Sequence, residues 1–254
     1  MKKFVQEKLP SPIQEYLRIS YYNLKYSFTP ITIIFISILF LILTIFLVVN
    51  TGIFESQSDK LTLEYQRVEL YLKNSYFITN LVTSVLVIGL PVLSNKAFEY
   101  NTHHIFNRNK IFVSKVFSGI VLVFFVTFIT LCYFIFIPSV CINIFYIDKE
   151  MILYFGRLFL QLIMLYFVLN IIYDLTENPF SVAFLSIIYF IVLVNNFNYI
   201  EINTFMKIMQ VIFPIILYNG SITHYLNGEV FVLVYIIGII VLFRYIYIKK
   251  DIII

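Results

Sequence analysis

Residues 30–49 read PITIIFISILFLILTIFLVV, an uninterrupted run of apolar and small polar residues without a charged side chain. An α-helix needs about 20 such residues to cross the hydrocarbon core of a bilayer. Because lipid offers the backbone no hydrogen-bonding partner, a segment of this kind must satisfy its own N–H and C=O groups as a helix. The stretch therefore predicts a transmembrane helix.

The composition of the whole chain points the same way. Of the 254 residues, 61% are hydrophobic and 13% are charged, and the mean hydropathy is +0.91. A water-soluble globule of this size exposes too much surface to hide that many apolar side chains, and a disordered or collagen-like chain is excluded by the same numbers. The two cysteines, Cys132 and Cys141, are too few for a disulfide framework or a thiolate metal cage.

Five further apolar runs extend the pattern. Together with the first they predict an all-α polytopic membrane protein, with residues 1–254 forming a single transmembrane domain. A cleaved signal peptide is not expected, because the first run is full length and lacks a small-residue cleavage site. The six predicted spans cover about 30–49, 77–93, 116–137, 151–173, 180–194 and 230–248.

Lysine and arginine orient the bundle, because cytoplasmic segments of membrane proteins carry an excess of both. With the N-terminus inside, the inner segments hold 12 of the 18 basic residues and the outer segments with their margins hold 6. We therefore expect both termini in the cytoplasm, and the net charge of +4 needs no nucleic-acid partner to explain it. The inner set is Lys2, Lys3, Lys8, Arg18, Lys25, Lys96, Arg108, Lys110, Lys115, Arg244, Lys249 and Lys250; the outer set is Lys60, Arg67, Lys73, Lys149, Arg157 and Lys207.

The segment 11–29 precedes the first span and predicts an amphipathic helix. Ser11 suits a helix cap, Pro12 suits the first helical position, and Gln14 completes a capping box. We interpret the segment as a helix in the inner membrane interface; the alternative is a cytoplasmic helix packed on a partner. Its apolar stripe at helical spacing comprises Ile13, Tyr16, Leu17, Tyr21 and Leu24, with Arg18 and Lys25 off the stripe.

Two segments are predicted to lie on the outer side. Residues 55–74 show helical spacing of apolar residues and predict an outer helix leading into the second span. Residues 203–220 contain an apolar run too short to cross. Pro214 interrupts this run and Gly220 follows it, which predicts a short re-entrant segment that acts as an outer gate. The alternative, a seventh crossing, would put the basic C-terminus outside, against the positive-inside rule.

The inner loop 94–115 between spans two and three carries a polar motif. Glu99 and Thr102 are spaced as Glu-x-x-Thr, and Arg108 and then Lys115 follow, the last at the start of a span. A short polar helix on the inner face of a membrane protein is available to dock on a soluble partner. The alternative is an ordinary solvated loop that obeys the positive-inside rule.

This motif and the order of segments resemble the ABC-2 type membrane subunits of ABC transporters. In that family a Glu-x-x-Gly-Thr stretch and a later basic residue form a coupling helix that docks on the ATP-binding subunit. Here Glu99 and Thr102 are one residue closer, and Asn101 stands before the threonine, where the family usually has glycine. The resemblance implies that Glu99, Thr102 and Arg108 couple the chain to an ATPase. It also implies pairing with a second membrane subunit, as a homodimer or a heterodimer.

The chain is also similar to the exporters of amphipathic phenol-soluble modulin peptides. This resemblance implies a multi-pass permease of a bacterial cell membrane that exports an amphipathic or hydrophobic substrate, such as a peptide toxin or an antimicrobial peptide. The sequence has no Gly-x-x-x-x-Gly-Lys-Ser/Thr phosphate loop. The chain is therefore expected to be no enzyme and to hold no cofactor, with ATP and Mg bound by the partner subunit.

Other function classes leave weaker signals. The alternative is a non-transporting membrane immunity or scaffold protein that binds a peptide or a partner complex. A membrane enzyme is disfavoured, because no His-Glu-x-x-His or Gly-x-Ser-x-Gly motif occurs, and adjacent His103 and His104 with only Glu99 nearby make a poor metal site. Ion-coupled transport is disfavoured because Arg157 and Asp174 lie near the ends of span four and the other span centres carry no charge.

The spans also contain neutral polar side chains. Gln161, Asn170, Thr127 and Thr130 are interpreted as hydrogen-bonding partners between helices rather than as substrate contacts.

Overall fold

The structure is a computed structural model that describes residues 12–58, 75–76, 78–89, 107–142, 147, 149–198 and 226–249. These residues form helices and short connections, and no strand occurs among them, which confirms the all-α prediction for this part of the chain. The helices are α1 (Pro12–Ser27), α2 (Pro30–Ser58), α3 (Ile78–Gly89), α4 (Arg108–Ile142), α5 (Lys149–Thr176), α6 (Pro179–Asn198) and α7 (Leu226–Lys249).

Local capping sets where two of these helices begin. Thr29 Oγ1 accepts a hydrogen bond of 3.2 Å from the backbone N–H of Thr32 at the start of α2. Asn178 Oδ1 accepts one of 2.9 Å from the backbone N–H of Phe180 at the start of α6. A proline follows each cap, at the first helical position, where its missing N–H costs nothing.

Three helices are long and apolar enough to cross a membrane, namely Pro30–Val49, Arg108–Cys141 and Met151–Thr176. They agree with the first, third and fourth predicted spans and with a membrane protein. The second and fifth predicted spans coincide with the shorter apolar helices Ile78–Gly89 and Pro179–Ile191, and the sixth lies within α7. That these last three also cross the bilayer stays a prediction.

Helices α4 and α5 form the centre of the bundle. Helix α4 contacts α1, α2, α5 and α7, and α5 also contacts α6 and α7. Their buried aromatic side chains pack closely, with ring centroids 5.5 Å apart for Phe134 and Phe155. Helix α2 lies at the edge and turns much of its apolar surface outward, as a lipid-facing helix does. Its exposed apolar side chains include Ile31, Ile34, Ile38, Leu41, Ile42 and Ile45.

Helix α1 packs against α4 with a face that differs from the predicted stripe. Ile19 and Ser20 are buried, whereas Ile13, Leu17 and Tyr21 are 71%, 54% and 62% exposed. Three of the five stripe residues are therefore exposed beside the bundle, while the other two are partly buried. An outward apolar stripe suits a helix that lies in a membrane interface, and the membrane location itself stays a prediction.

Close approach between α4 and α5 depends on Gly119. A Cβ at this position would collide with the ring of Tyr166 on α5. We therefore expect Gly119→Val to destabilise the protein by roughly 1–3 kcal/mol, the usual range for overpacking a tight contact. Thermal unfolding of the purified protein in detergent measures this change.

Gly156 on α5 provides the matched control for that substitution. Nothing lies within 4 Å of the position that its Cβ would occupy. Gly156→Val is expected to leave stability unchanged or slightly higher, since valine is a better helix former than glycine. Equal losses for the two variants would show that helix α4 does not approach α5 as closely as described.

Candidate functional site

Arg108 is the predicted site residue that the structure describes. It is the first residue of α4, so this helix begins inside the predicted loop 94–115, well ahead of the span start predicted at residue 116. Its Nη1 donates a hydrogen bond of 3.0 Å to the carbonyl oxygen of Ile248, near the end of α7. The other predicted site residues lie outside the described residues: Glu99, Thr102, Pro214 and Gly220.

The early start of α4 has a local cause. Asn107 Oδ1 accepts a hydrogen bond of 3.1 Å from the backbone N–H of Asn109, and the Asn107 carbonyl accepts one of 2.8 Å from the N–H of Lys110. Asparagine is among the preferred residues at a helix N-cap. The stretch Asn107–Lys110 was polar enough to predict a loop, but its first residue is a helix cap.

Lys110 links α4 to α1. Its ammonium group lies 2.7 Å from Glu15 Oε2, with both side chains partly exposed, at 35% and 26%. One turn further along α4, the hydroxyl of Ser114 donates a hydrogen bond of 3.4 Å to the carbonyl of Tyr16. The N-terminal helix is therefore held by polar contacts to the first two turns of α4.

Lys115 links α4 to α5 through a buried ion pair. Its Nζ lies 3.0 Å from Asp174 Oδ2, and the side chains are only 12% and 5% exposed. The ammonium group also lies 5.3 Å from the ring centroid of Phe243 and 5.4 Å from that of Tyr247, both on α7. Cation–π attraction of this kind strengthens as the cation loses water. The sequence marked both charged residues separately but did not predict that they pair.

These contacts form one set at one end of the bundle, which we call the inner-end network after the side that the sequence predicts to be cytoplasmic. Arg108 and Lys115 are seven residues apart and share a face of α4, while Lys110 points to the other side. The first two turns of α4 are thus tied to α1 on one side and to α5 and α7 on the other. The network comprises Glu15, Arg108, Lys110, Lys115, Asp174 and the carbonyl of Ile248.

The inner-end network consists of structural contacts between helices. Within the described ranges no group of three or more His, Cys, Asp and Glu residues is arranged to hold a metal ion. A buried ion pair tolerates little change in geometry, because each charge has already lost its water and is left uncompensated if the partner moves away. Helices α4 and α5 are therefore expected to move together at this end.

A second polar set, which the sequence does not predict as a group, lies inside the bundle. The hydroxyls of Ser84 on α3 and Tyr189 on α6 are 3.1 Å apart. Gln161 Nε2 on α5 donates to the Tyr189 hydroxyl and, at 3.4 Å, to Asn80 Oδ1 on α3. Their exposure is 2% for Asn80 and 0% for the others. We call Asn80, Ser84, Gln161 and Tyr189 the interior polar cluster.

The polar span residues behave in two ways. Gln161 joins three helices, which confirms its prediction as an interhelical partner. Asn170, Thr127 and Thr130 instead donate to the carbonyl four residues earlier in their own helix, a bond that short polar side chains commonly make inside helices. The interhelical interpretation is therefore wrong for the bonds described at these three positions.

A signal for the interior polar cluster was present in the sequence. Thr79, Asn80, Thr83 and Ser84 follow the i, i+1, i+4, i+5 spacing that places residues on one helix face. All four are buried. A polar face on a short membrane helix is typical of a helix enclosed by others.

Comparison with known proteins yields no family for this chain. No protein-family model, curated protein or solved structure matches it. Its function is therefore inferred from the residues and contacts described above.

Proposed function

We propose that the chain is the membrane-spanning subunit of an ATP-driven exporter of the ABC-2 type, with an amphipathic or hydrophobic peptide as substrate. The inner-end network is the observation that carries this proposal. The predicted docking segment with Glu99 and Thr102 leads directly into Arg108, which is bonded to α7. A displacement of that segment by a partner would thus reach α1, α5 and α7 through contacts at the start of α4.

The N-terminal helix fits the same role. Its outward stripe of Ile13, Leu17 and Tyr21 suits the membrane interface, while its Glu15 is paired with Lys110. We propose that this interfacial helix, tied to the start of α4, links the docking movement to the membrane surface.

The proposed substrate class is supported by exposed aromatic side chains along one face of α4. Phe117, Phe124, Phe125 and Phe128 are about half exposed, and the Phe124 and Phe128 rings are stacked with centroids 6.0 Å apart. Aromatic faces offer large apolar contact to an amphipathic peptide or to a second membrane subunit. In this proposal the surface faces the cavity between two membrane subunits.

The proposal is tested by asking whether ATPase activity co-purifies with the chain. The affinity-tagged chain is purified from membranes of its own host, and Mg-dependent ATPase activity is measured in the eluate. We expect activity to co-purify, because this chain has no phosphate loop and needs a separate ATP-binding subunit. An eluate that binds a peptide but hydrolyses no ATP would favour the immunity or scaffold alternative.

The proposed topology gives a separate prediction. Single cysteines replace Lys60 or Lys250 in a background without Cys132 and Cys141, both of which are exposed and free. A membrane-impermeant thiol reagent on whole cells is expected to label position 60 and to spare position 250, because the positive-inside rule puts the C-terminus in the cytoplasm. Labelling at position 250 alone would show that the orientation in the membrane is the reverse of the predicted one.

A further inference from the structure

The buried face of α3 poses a hydrogen-bonding problem. Thr79, Asn80, Thr83 and Ser84 are all enclosed by the bundle. Thr83 donates to the carbonyls of its own helix, at 2.7 Å to Thr79 and 3.1 Å to Asn80. Ser84 bonds to Asn80 and Tyr189. In a membrane-embedded bundle, each remaining polar atom must find a partner inside the protein, because lipid supplies none.

Two polar atoms in this region have no hydrogen-bonding partner among the described residues. They are Gln161 Oε1 and Thr79 Oγ1, and both side chains are 0% exposed. The Gln161 amide nitrogen faces Asn80 Oδ1 at 3.4 Å, and its oxygen points away from that contact. Turning the amide round would leave the nitrogen unpartnered instead. Leaving such groups bare in an apolar interior is costly.

The two unpartnered atoms belong to residues that are linked through Asn80. Thr79 adjoins Asn80 in the chain, and Asn80 is bonded to Gln161. The Gln161 oxygen needs a donor, whereas the Thr79 hydroxyl can both donate and accept. The interior polar cluster and Thr79 contain no carboxylate to balance a cation. The residues are too enclosed for any but a small ligand.

We infer that the interior polar cluster, together with Thr79, binds water inside the subunit at membrane depth. Water is small and neutral, and it donates and accepts at once, which matches what the two atoms lack. Buried waters in proteins typically make about three hydrogen bonds to polar groups that have no other partner. Among the described residues, the site is formed by α3, α5 and α6, so this inference does not depend on the proposed export function.

Water also gives these helices an exchangeable partner. When α3 shifts against α5 and α6, a bound water can change its hydrogen bonds, and no amide or hydroxyl is left bare during the movement. An interface closed only by direct hydrogen bonds between side chains would lose them on the same movement.

Hydroxyl-radical footprinting by X-ray radiolysis tests the inference on the full chain in lipid nanodiscs, with water as the probe. A bound water is converted to a radical in place and modifies the side chain beside it. Tyr189 is expected to be modified several-fold faster than Phe167, which is equally enclosed but contacts aromatic and apolar side chains. Modification of Tyr189 as slow as that of Phe167 would overturn the inference.

Two substitutions locate the water. Gln161→Met keeps the length of the side chain and removes the amide, and Thr79→Val keeps the shape and removes the hydroxyl. Each is expected to slow modification of Tyr189, while the exposed Tyr21 on α1 is modified at an unchanged rate. Fast modification of Tyr189 in both variants would show that the water is not held by these groups, which also overturns the inference.

Stability of the Thr79→Val variant gives an independent readout. If water satisfies the Thr79 hydroxyl, removing that hydroxyl leaves the thermal midpoint unchanged or lowers it, because a satisfied group and its bound water are lost together. If the hydroxyl is dry and unpartnered, the same substitution removes a buried penalty and raises the midpoint. A raised midpoint therefore contradicts the inference even if Gln161→Met fails to fold.

Discussion

Replacing Asp174 with leucine is expected to lower the free energy of unfolding by about 3 kcal/mol, the lower end of the range for breaking a buried ion pair. The substitution leaves the ammonium group of Lys115 enclosed without its carboxylate, which the structure places at 3.0 Å. The rings of Phe243 and Tyr247 still face the cation, and this attraction keeps the loss away from the upper end of the range. Thermal or denaturant unfolding in detergent measures it.

A double variant removes the positive charge of Lys115 as well as the negative charge of Asp174. Adding Lys115→Met to Asp174→Leu is expected to restore most of the lost stability, because a buried ion pair replaced by apolar residues of similar volume is often neutral or stabilising. If the pair transmits motion between α4 and α5, the stable double variant is also expected to couple ATP hydrolysis poorly to transport. Stability and transport would then separate in one protein.

The exposed pair at the same end of the bundle is the control. Glu15→Gln removes the partner of Lys110, where the side chains are 35% and 26% exposed. Water screens such a pair, and the expected loss is below about 1 kcal/mol. Equal losses for Glu15→Gln and Asp174→Leu, or a double variant no more stable than Asp174→Leu alone, would contradict a desolvated Lys115–Asp174 pair.

Helix positions could be predicted from the sequence because hydropathy over one span is a local property. The run 30–49 predicts its own helix whatever surrounds it. Helix ends were less predictable. The sequence places Asn107 in the predicted loop 94–115. Its side chain and carbonyl oxygen nevertheless cap α4, so that the helix begins at Arg108. A single side-chain hydrogen bond decides such an end, and a hydropathy pattern carries no information about it.

Pairing between helices could not be predicted, because it depends on which faces meet after packing. Lys115 and Asp174 lie 59 positions apart, and Gln161 and Tyr189 lie 28 apart. Neither charge has a sequence neighbour that identifies its partner. The stripe of α1 shows the same limit. Its spacing predicts an amphipathic helix, but the face that packs on α4 carries Ile19 and Ser20, and three of the five stripe residues turn outward.

Glu99→Lys is expected to abolish co-purification of ATPase activity while the chain still inserts into the membrane. Glu99 belongs to the proposed docking segment and is predicted to lie close to the start of a helix, where a carboxylate favours the positive helix end. Reversing that charge introduces repulsion at the interface. Loss of one interfacial charge pair already costs roughly tenfold or more in affinity. ATPase activity per membrane subunit in the eluate is the measurement.

Glu177→Lys supplies the matched control for this prediction. Glu177 is an exposed glutamate in the short turn between α5 and α6, and its substitution changes the charge by the same amount on the side predicted to face the cytoplasm. Its left-handed backbone conformation, with φ of 52°, suits glutamate and lysine equally poorly, so little structural change is expected. ATPase activity should therefore stay near the level of the unmodified chain. Equal loss in both variants would point to a general charge effect at the inner surface, and full activity with Glu99→Lys would move the docking site away from the Glu-x-x-Thr segment.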